Sequence, residues 1–169
     1  SKASTGVLPV HLERLDFAQL LTQALGEYED RFQRSGLTPV ASLPPESCAV
    51  LADGRHLWRV MDNLLGNCCK YALSGTRVYL SLERWDGSVI LTVKNVSRAP
   101  LNVSPEQLME RFVRGDSARS TEGSGLGLSI ARSLTDLQGG NFRLEIDGDL
   151  FKAVVSLPAA PPETPPDGT

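Results

Sequence analysis

RFVRGDSARSTEGSGLGLSIA, residues 111–131, couples a polar loop to the opening of an amphipathic helix. Gly123, Gly125 and Gly127 occupy alternate positions, and Leu126, Ile130, Leu134 and Leu137 then recur at helical spacing, which predicts a helix opening close to Gly125. The first four N–H groups of a helix lack intrahelical partners and carry partial positive charge, and glycines let a phosphate come close to that backbone. Between Phe112 and Ser124 the chain is small, polar and charged without an apolar period, so it reads as a loop of the kind that carries function on a rigid frame. Two readings stand for the glycines, a phosphate cradle or an ordinary turn before a helix. No Lys-Ser or Lys-Thr follows them, which excludes the GxxxxGK[ST] phosphate loop, and the polar segment before them excludes a dinucleotide fingerprint, which follows a strand.

Downstream, Gly139-Gly140 stops the helix, and Phe142–Ile146 and Phe151–Leu157 form a hairpin about Gly148. Residues 158–169 hold five prolines and no apolar anchor after Leu157, and are expected to be a disordered tail. Upstream, residues 1–15 lack periodicity and read as a linker. Asp16 and Gln19 make a capping-box-like start, and apolar residues from Phe17 to Phe32 predict one helix ending near Gly36. Leu37–Leu43 and Cys48–Ala52 are candidate strands separated by Pro44-Pro45. Asp53-Gly54 then turns the chain into a helix over about 55–72. Val78, Leu80 and Leu82 alternate with polar residues, as do Val89, Leu91 and Val93, with Asp86-Gly87 between them: a hairpin. Residues 94–104 are irregular and 105–110 suggest a short helix. Segregated helices and hairpins predict an α+β fold, helices on one face of a mixed sheet, formed by residues 16–157.

The 169 residues are 41% hydrophobic and 22% charged, which suits one domain with a proper core. A net charge of -3 without a basic cluster argues against nucleic acid as a partner. No apolar run is long enough to span a bilayer and no signal peptide is visible. Cys48, Cys68 and Cys69 make neither a disulfide framework nor a zinc pattern, and read as reduced thiols of a cytosolic protein.

On the helix at 55–72, Leu57, Met61, Leu64, Leu65 and Cys68 form an apolar face. Asn63, Asn67 and Lys70, at i, i+4 and i+7, form a polar stripe beside it. Asparagine is a poor interior helix former. An amide oxygen can ligate magnesium and a lysine one turn on can meet phosphate, so the stripe is either a ligand site or a solvated face.

Three runs carry a family resemblance. DNLLGNCCKYA (Asp62 to Ala72) resembles the asparagine box of bacterial sensor histidine kinases, ERFVRGD (Glu110 to Asp116) their phenylalanine box, and GSGLGLSIA (Gly123 to Ala131) their second glycine box. They stand in the family's order and separations. The resemblance implies the ATP-binding Bergerat-type fold shared with gyrase, heat-shock chaperones and mismatch-repair ATPases: a two-layer α/β sandwich with three helices on one face of a mixed five-stranded sheet. It implies ATP and Mg2+ as cofactors, Asn67 as the magnesium ligand, Asn63 one turn before it, Lys70 as a phosphate contact, and Tyr71 as a ring near adenine and ribose. It also implies Arg114 as a lid residue reaching the terminal phosphates, Phe112 as the lid anchor, and the backbone around Gly123, Gly125, Leu126 and Gly127 as the phosphate cradle. Asn67, Lys70 and Arg114 would serve the transfer itself.

The first glycine box departs from the family pattern. Asn95-Val96-Ser97-Arg98-Ala99 stands where Asp-x-Gly-x-Gly is usual, so Asn95 would accept the adenine amino group without charge assistance, and adenine binding is expected to weaken. Asn63 stands where hydrolytic relatives carry a glutamate base, which predicts little ATP hydrolysis. Neither His11 nor His56 has the context of a phosphoacceptor. The resemblance therefore implies a histidine kinase catalytic domain, monomeric as a fragment. Its phosphoacceptor would lie on an absent dimerisation domain of a homodimeric, membrane-anchored parent whose cytoplasmic part signals to a response regulator. Two alternatives are a degenerate, non-catalytic nucleotide-binding or protein-interaction module and an anti-sigma-type serine kinase.

Overall fold

The computed structural model describes residues 8–109 and 127–163. In chain order the elements are β1 (Glu13–Asp16), α1 (Phe17–Glu27), α2 (Glu29–Arg34), β2 (Thr38–Ser42), β3 (Ala49–Ala52), α3 (Gly54–Tyr71), β4 (Arg77–Trp85), β5 (Ser88–Val96), α4 (Gly127–Leu137), β6 (Asn141–Asp147) and β7 (Leu150–Pro158).

Five strands form one mixed sheet in the order β2-β4-β5-β7-β6. The alternation of β4 and β5 puts Val78, Leu80, Leu82, Val89, Leu91 and Val93 on a single buried face, and the register continues it across β7 and β6: Leu91 faces Val155, and Val155 faces Phe142. Asp86 (φ 52°) and Gly87 (φ 76°) make the β4–β5 connection, both left-handed, as the twist of a two-residue hairpin demands. Only β2 runs parallel to its neighbour, β4. Parallel neighbours need a crossover, and α3 lies within this one. Helices α1, α3 and α4, with the six-residue α2, contribute their buried residues to one core with the apolar sheet face. This is the expected two-layer α+β arrangement.

Capping fixes where the helices begin. Asp16 accepts from the Gln19 amide (3.2 Å) ahead of α1, and Asp53 accepts from Arg55 (3.0 Å) and His56 (3.3 Å) ahead of α3. Asp53 is itself buried, accepts from the His11 amide (2.8 Å), and donates its own amide to Gln138 Oε1 (2.8 Å) at the end of α4. The His11 bond, followed by those from His56 and Arg55, holds the Asp53 carboxyl below the usual carboxylate range in spite of its burial.

Three local features differ from the sequence expectation. The helix expected from Phe17 to Gly36 breaks at Tyr28 (φ −95°, ψ 2°), while the apolar period runs on through the bend. Tyr28 and Phe32 both remain buried, and the Tyr28 hydroxyl donates to the Asp62 carboxylate on α3 (2.5 Å), pinning the bend. Glu13–Leu15, expected in a linker, belong to β1, which pairs antiparallel with β3. That strand is held by its backbone, since Glu13 and Arg14 are exposed and only Leu15 packs inward. After Leu157 the chain is anchored by small residues: Ala159 donates to the Gly87 carbonyl (3.0 Å), and the buried Ala160 donates to that of Ala49 (2.9 Å).

Candidate nucleotide-binding site

Beside the C-terminal half of α3 lies a cavity of about 180 Å3, walled by Asn67 and Tyr71 of α3, Asn95 of β5, Phe151 of β7, and residues within the segment 97–108. Its lining is mostly apolar with a few polar groups, the usual make-up of a small-molecule site. The volume is below the roughly 300–1,000 Å3 that encloses a whole ligand, and suits one ring system with the remainder of the molecule outside.

The cavity follows from the fold. The polar stripe of α3 runs along the edge of its apolar face, so Asn63, Asn67 and Lys70 stay half-buried while Leu64, Leu65 and Cys68 enter the core. Asn95 continues the inward alternation of β5 and is 6% exposed. Beyond β5 the chain is tied back to the end of α3: Leu73 donates to the Val96 carbonyl and Arg98 to that of Tyr71, both at 2.8 Å. Ser97 accepts from the Ala99 amide (3.3 Å), which turns the chain along the cavity rim. Ser104 and Gln107 then form a reciprocal capping box (2.9 and 3.2 Å) with Pro105 in the first helical position, and the helical turn at residues 105–109 seats Leu108 as an apolar wall.

At the other end of the stripe, Asn63 Nδ2 donates to the Gly127 carbonyl (3.3 Å) where α4 begins. A Cβ on Gly127 would lie 3.4 Å from the Asn63 side chain, an ordinary contact distance, so the two helices already meet closely at this point. Lys70 places its ammonium 5.5 Å from the centre of the Tyr71 ring, in cation–π range. Beneath the cavity, Asn95 Nδ2 donates to Cys68 Sγ (3.3 Å). Burial pushes the Cys68 thiol up to about 12, against a small opposing effect of that hydrogen bond.

Of the residues singled out in the sequence, the structure gathers Asn67, Tyr71 and Asn95 on one cavity and places Lys70 beside Tyr71. Asn63 and Gly127 meet where α3 crosses α4. Phe112, Arg114, Gly123, Gly125 and Leu126 lie outside the described residues. The His56 ring is 2.8 Å from the Pro9 carbonyl and 3.8 Å from the Asp53 carboxylate. Sequence reasoning missed Leu101, Leu108 and Phe151 as cavity walls. Phe151 carried only the signal of β7 alternation, and its approach to Asn95 depends on the β5–β7 register.

Among the described residues no group of three or more His, Cys, Asp or Glu side chains could hold a metal ion, and no helix is long and apolar enough to cross a membrane.

The family described as histidine kinase-, DNA gyrase B-, and HSP90-like ATPase matches residues 52–167. PcoS of Escherichia coli, a probable sensor protein, is 32% identical over 151 residues, covering 88% of this chain and 32% of that protein. The signal transduction histidine-protein kinase BaeS of Escherichia coli K12 is 32% identical over 142 residues, 83% of this chain and 30% of its own length. This chain thus spans about a third of these relatives. Among solved structures, the nucleotide-free catalytic domain of histidine kinase ThkA superposes with a TM-score of 0.74 at 22% identity, over 88% of this chain and 95% of that one.

Proposed function

This chain belongs to the histidine kinase-, DNA gyrase B-, and HSP90-like ATPase family, as the ATP-binding catalytic domain of the sensor-kinase type, and from that premise we propose how its residues serve phosphoryl transfer. In this reading the whole protein is a two-component sensor kinase. The γ-phosphoryl group of ATP passes to a histidine on a dimerisation domain outside this chain, and from there to a response regulator. The parent is a membrane-anchored homodimer with this domain on its cytoplasmic side.

The observation that carries the reading is the cavity that brings Asn67 and Tyr71 from α3 together with Asn95 from β5. Adenine enters between Tyr71, Leu108 and Phe151, with its amino group toward the Asn95 amide oxygen. The phosphates then lie along the polar stripe between Lys70, at the cavity end, and the start of α4 at Gly127, each of which favours negative charge. By resemblance to the family, Gly123, Gly125 and Leu126 would belong to that cradle, Arg114 to the contacts with the terminal phosphates and Phe112 to the lid anchor, all of them outside the described residues.

The residues present fit Mg2+: the half-buried Asn67 side chain would offer the ion its amide oxygen, a hard donor of the kind magnesium takes. Bound there, Mg2+ would supply charge neutralisation for the transfer. The protein's part is positioning and electrostatics, since phosphoryl transfer needs little covalent help. Asn63 cannot act as a base, and its amide already braces α3 against α4 through Gly127. Water activation at that position is therefore absent, which keeps the phosphoryl group for the protein acceptor.

Calorimetry with a non-hydrolysable ATP analogue, with and without magnesium, tests this. Binding should require magnesium and weaken at least about tenfold in Asn67→Ala, a loss of about 1.4 kcal/mol. Absence of analogue binding in the unmodified chain would refute the reading and favour the degenerate module, because Asn95, Ser97 and Ala99 would then have disabled the pocket.

A further inference from the structure

The inward alternation of β5 runs on past its last apolar residue. Val89, Leu91 and Val93 fill the core, and the next two inward positions are Asn95 and Ser97, 6% and 8% exposed and both on the cavity wall. Two neutral polar side chains therefore stand next to each other where the strand passes from the core to the site. Among the described residues, no carboxylate and no cationic side chain lines this cavity.

Both groups can act in either direction. A carboxylate only accepts hydrogen bonds, whereas an amide carries one acceptor and one donor, and a half-turn of the side chain exchanges them. What lies behind Asn95 leaves that choice open. Among the described residues its side chain has one hydrogen-bond partner, Cys68 Sγ at 3.3 Å, and a protonated thiol is a weak acceptor and a weak donor alike. Burial keeps the thiol in that two-sided form, pushing its ionisation up to about 12. The Ser97 hydroxyl accepts from the Ala99 amide (3.3 Å) and retains a further lone pair and its own hydrogen, which rotates to suit what faces it.

Purines differ at the edge that such groups read. Adenine presents an amino donor at C6, as against the carbonyl acceptor of a 6-oxopurine such as guanine or hypoxanthine. At the neighbouring N1, adenine has an acceptor and a 6-oxopurine an N–H donor. A wall that only accepts would reject the second kind, because its acceptor would face the ring carbonyl with no proton between them. Asn95 and Ser97 match both kinds. Oδ1 turned to the cavity accepts from the amino group, and Nδ2 turned there donates to the carbonyl, while the hydroxyl donates to N1 or accepts from N1–H. We infer that this cavity takes 6-oxopurine nucleotides, the guanine and hypoxanthine class, alongside adenine nucleotides, with Asn95 and Ser97 as the residues that set this breadth. This rests on the nucleotide-binding reading of the cavity and names the class of base it admits.

Hypoxanthine differs from adenine only at C6 and N1, so inosine diphosphate is the probe. Its dissociation constant for the 169-residue chain is compared with that of ADP by calorimetry with magnesium present. The preference for ADP should be below about tenfold, since each base makes the same number of hydrogen bonds. Asn95→Asp, which leaves an acceptor alone on the wall, should raise that preference at least about tenfold over the parent chain, with thermal unfolding as the folding control. A parent chain that prefers ADP by more than about tenfold overturns the inference, as does a folded Asn95→Asp whose preference rises less than that. If Asn95→Asp does not fold, the ratio in the parent chain decides alone. A parent chain that binds neither nucleotide refutes the nucleotide site itself, a distinct outcome.

Discussion

Replacing Asp53 by alanine removes three hydrogen bonds at once. Its carboxylate caps α3 through Arg55 and His56, and accepts from His11 in the segment ahead of β1. Loss of a side-chain cap costs about 1 kcal/mol, and the third bond, made to a buried charged group, about 1–2 kcal/mol more. The expected loss is about 2–3 kcal/mol. For a chain of this size that lowers the melting temperature by roughly 4–12 °C at pH 7, measured by circular dichroism. An asparagine side chain would keep an acceptor at the cap, so Asp53→Asn should lose less than half as much. The pH dependence has a definite sign. The folded carboxyl titrates below its ordinary value of 3.8, so its extra stabilisation is present above that value and disappears as pH falls through the lower folded one. The gap between parent and Asp53→Asn should therefore close on acidification below about pH 4. A melting temperature within about 1 °C of the parent for Asp53→Ala at pH 7 would refute the assignment of the Asp53 side chain as the joint between α3 and the incoming chain.

Three further outcomes follow from buried contacts. A Cβ on Gly140 would run into the Ser156 carbonyl and come within 2.8 Å of Leu157 Cδ2, so Gly140→Ala should cost about 1–3 kcal/mol in urea unfolding. Tyr28→Phe should cost about 1 kcal/mol by the same assay, because it removes the donor to Asp62 but keeps the ring packing. In the native chain at pH 8, Cys68 should resist a thiol reagent that labels it fully in denaturant, as read by peptide mass spectrometry. Its thiolate is disfavoured and its sulfur is enclosed.

The strands of the main sheet were legible because one face is buried and the other is not, so period-two alternation survives in the sequence. Val78 to Leu82 and Val89 to Val93 show it, and Asp86-Gly87 announces the turn between them. The Asn63–Asn67–Lys70 stripe was legible for the corresponding reason at period 3.6. β1 was not legible, because Glu13 and Arg14 contribute backbone rather than apolar side chains, and their partners Ala52 and Leu51 are remote in sequence. The bend at Tyr28 was hidden because apolar spacing continues across it, and the contact that pins it, to Asp62, is remote in sequence. The cavity walls Leu108 and Phe151 are ordinary apolar residues until the register of β7 and the capping box at Ser104 bring them to Asn95. The Cys68–Asn95 pair was equally invisible. Each residue has a local explanation alone, and only the seating of α3 on β5 joins them.

The crossover between the parallel strands β2 and β4 constrains how this domain can vary in length. Helix α3 is both part of that connection and the bearer of the polar stripe. One residue inserted before Asn63 would rotate Asn63, Asn67 and Lys70 by about 100° relative to the capped end of the helix. Both strands could still pair, leaving a sheet intact beneath a stripe turned away from its cavity. Insertions of about a whole turn would nearly restore the facing, at the expense of displacing it by roughly 5 Å along the helix. Tolerance of length changes should thus be generous in the turns at Gly87 and Gly148 and narrow within residues 54–67, a contrast set by screw symmetry.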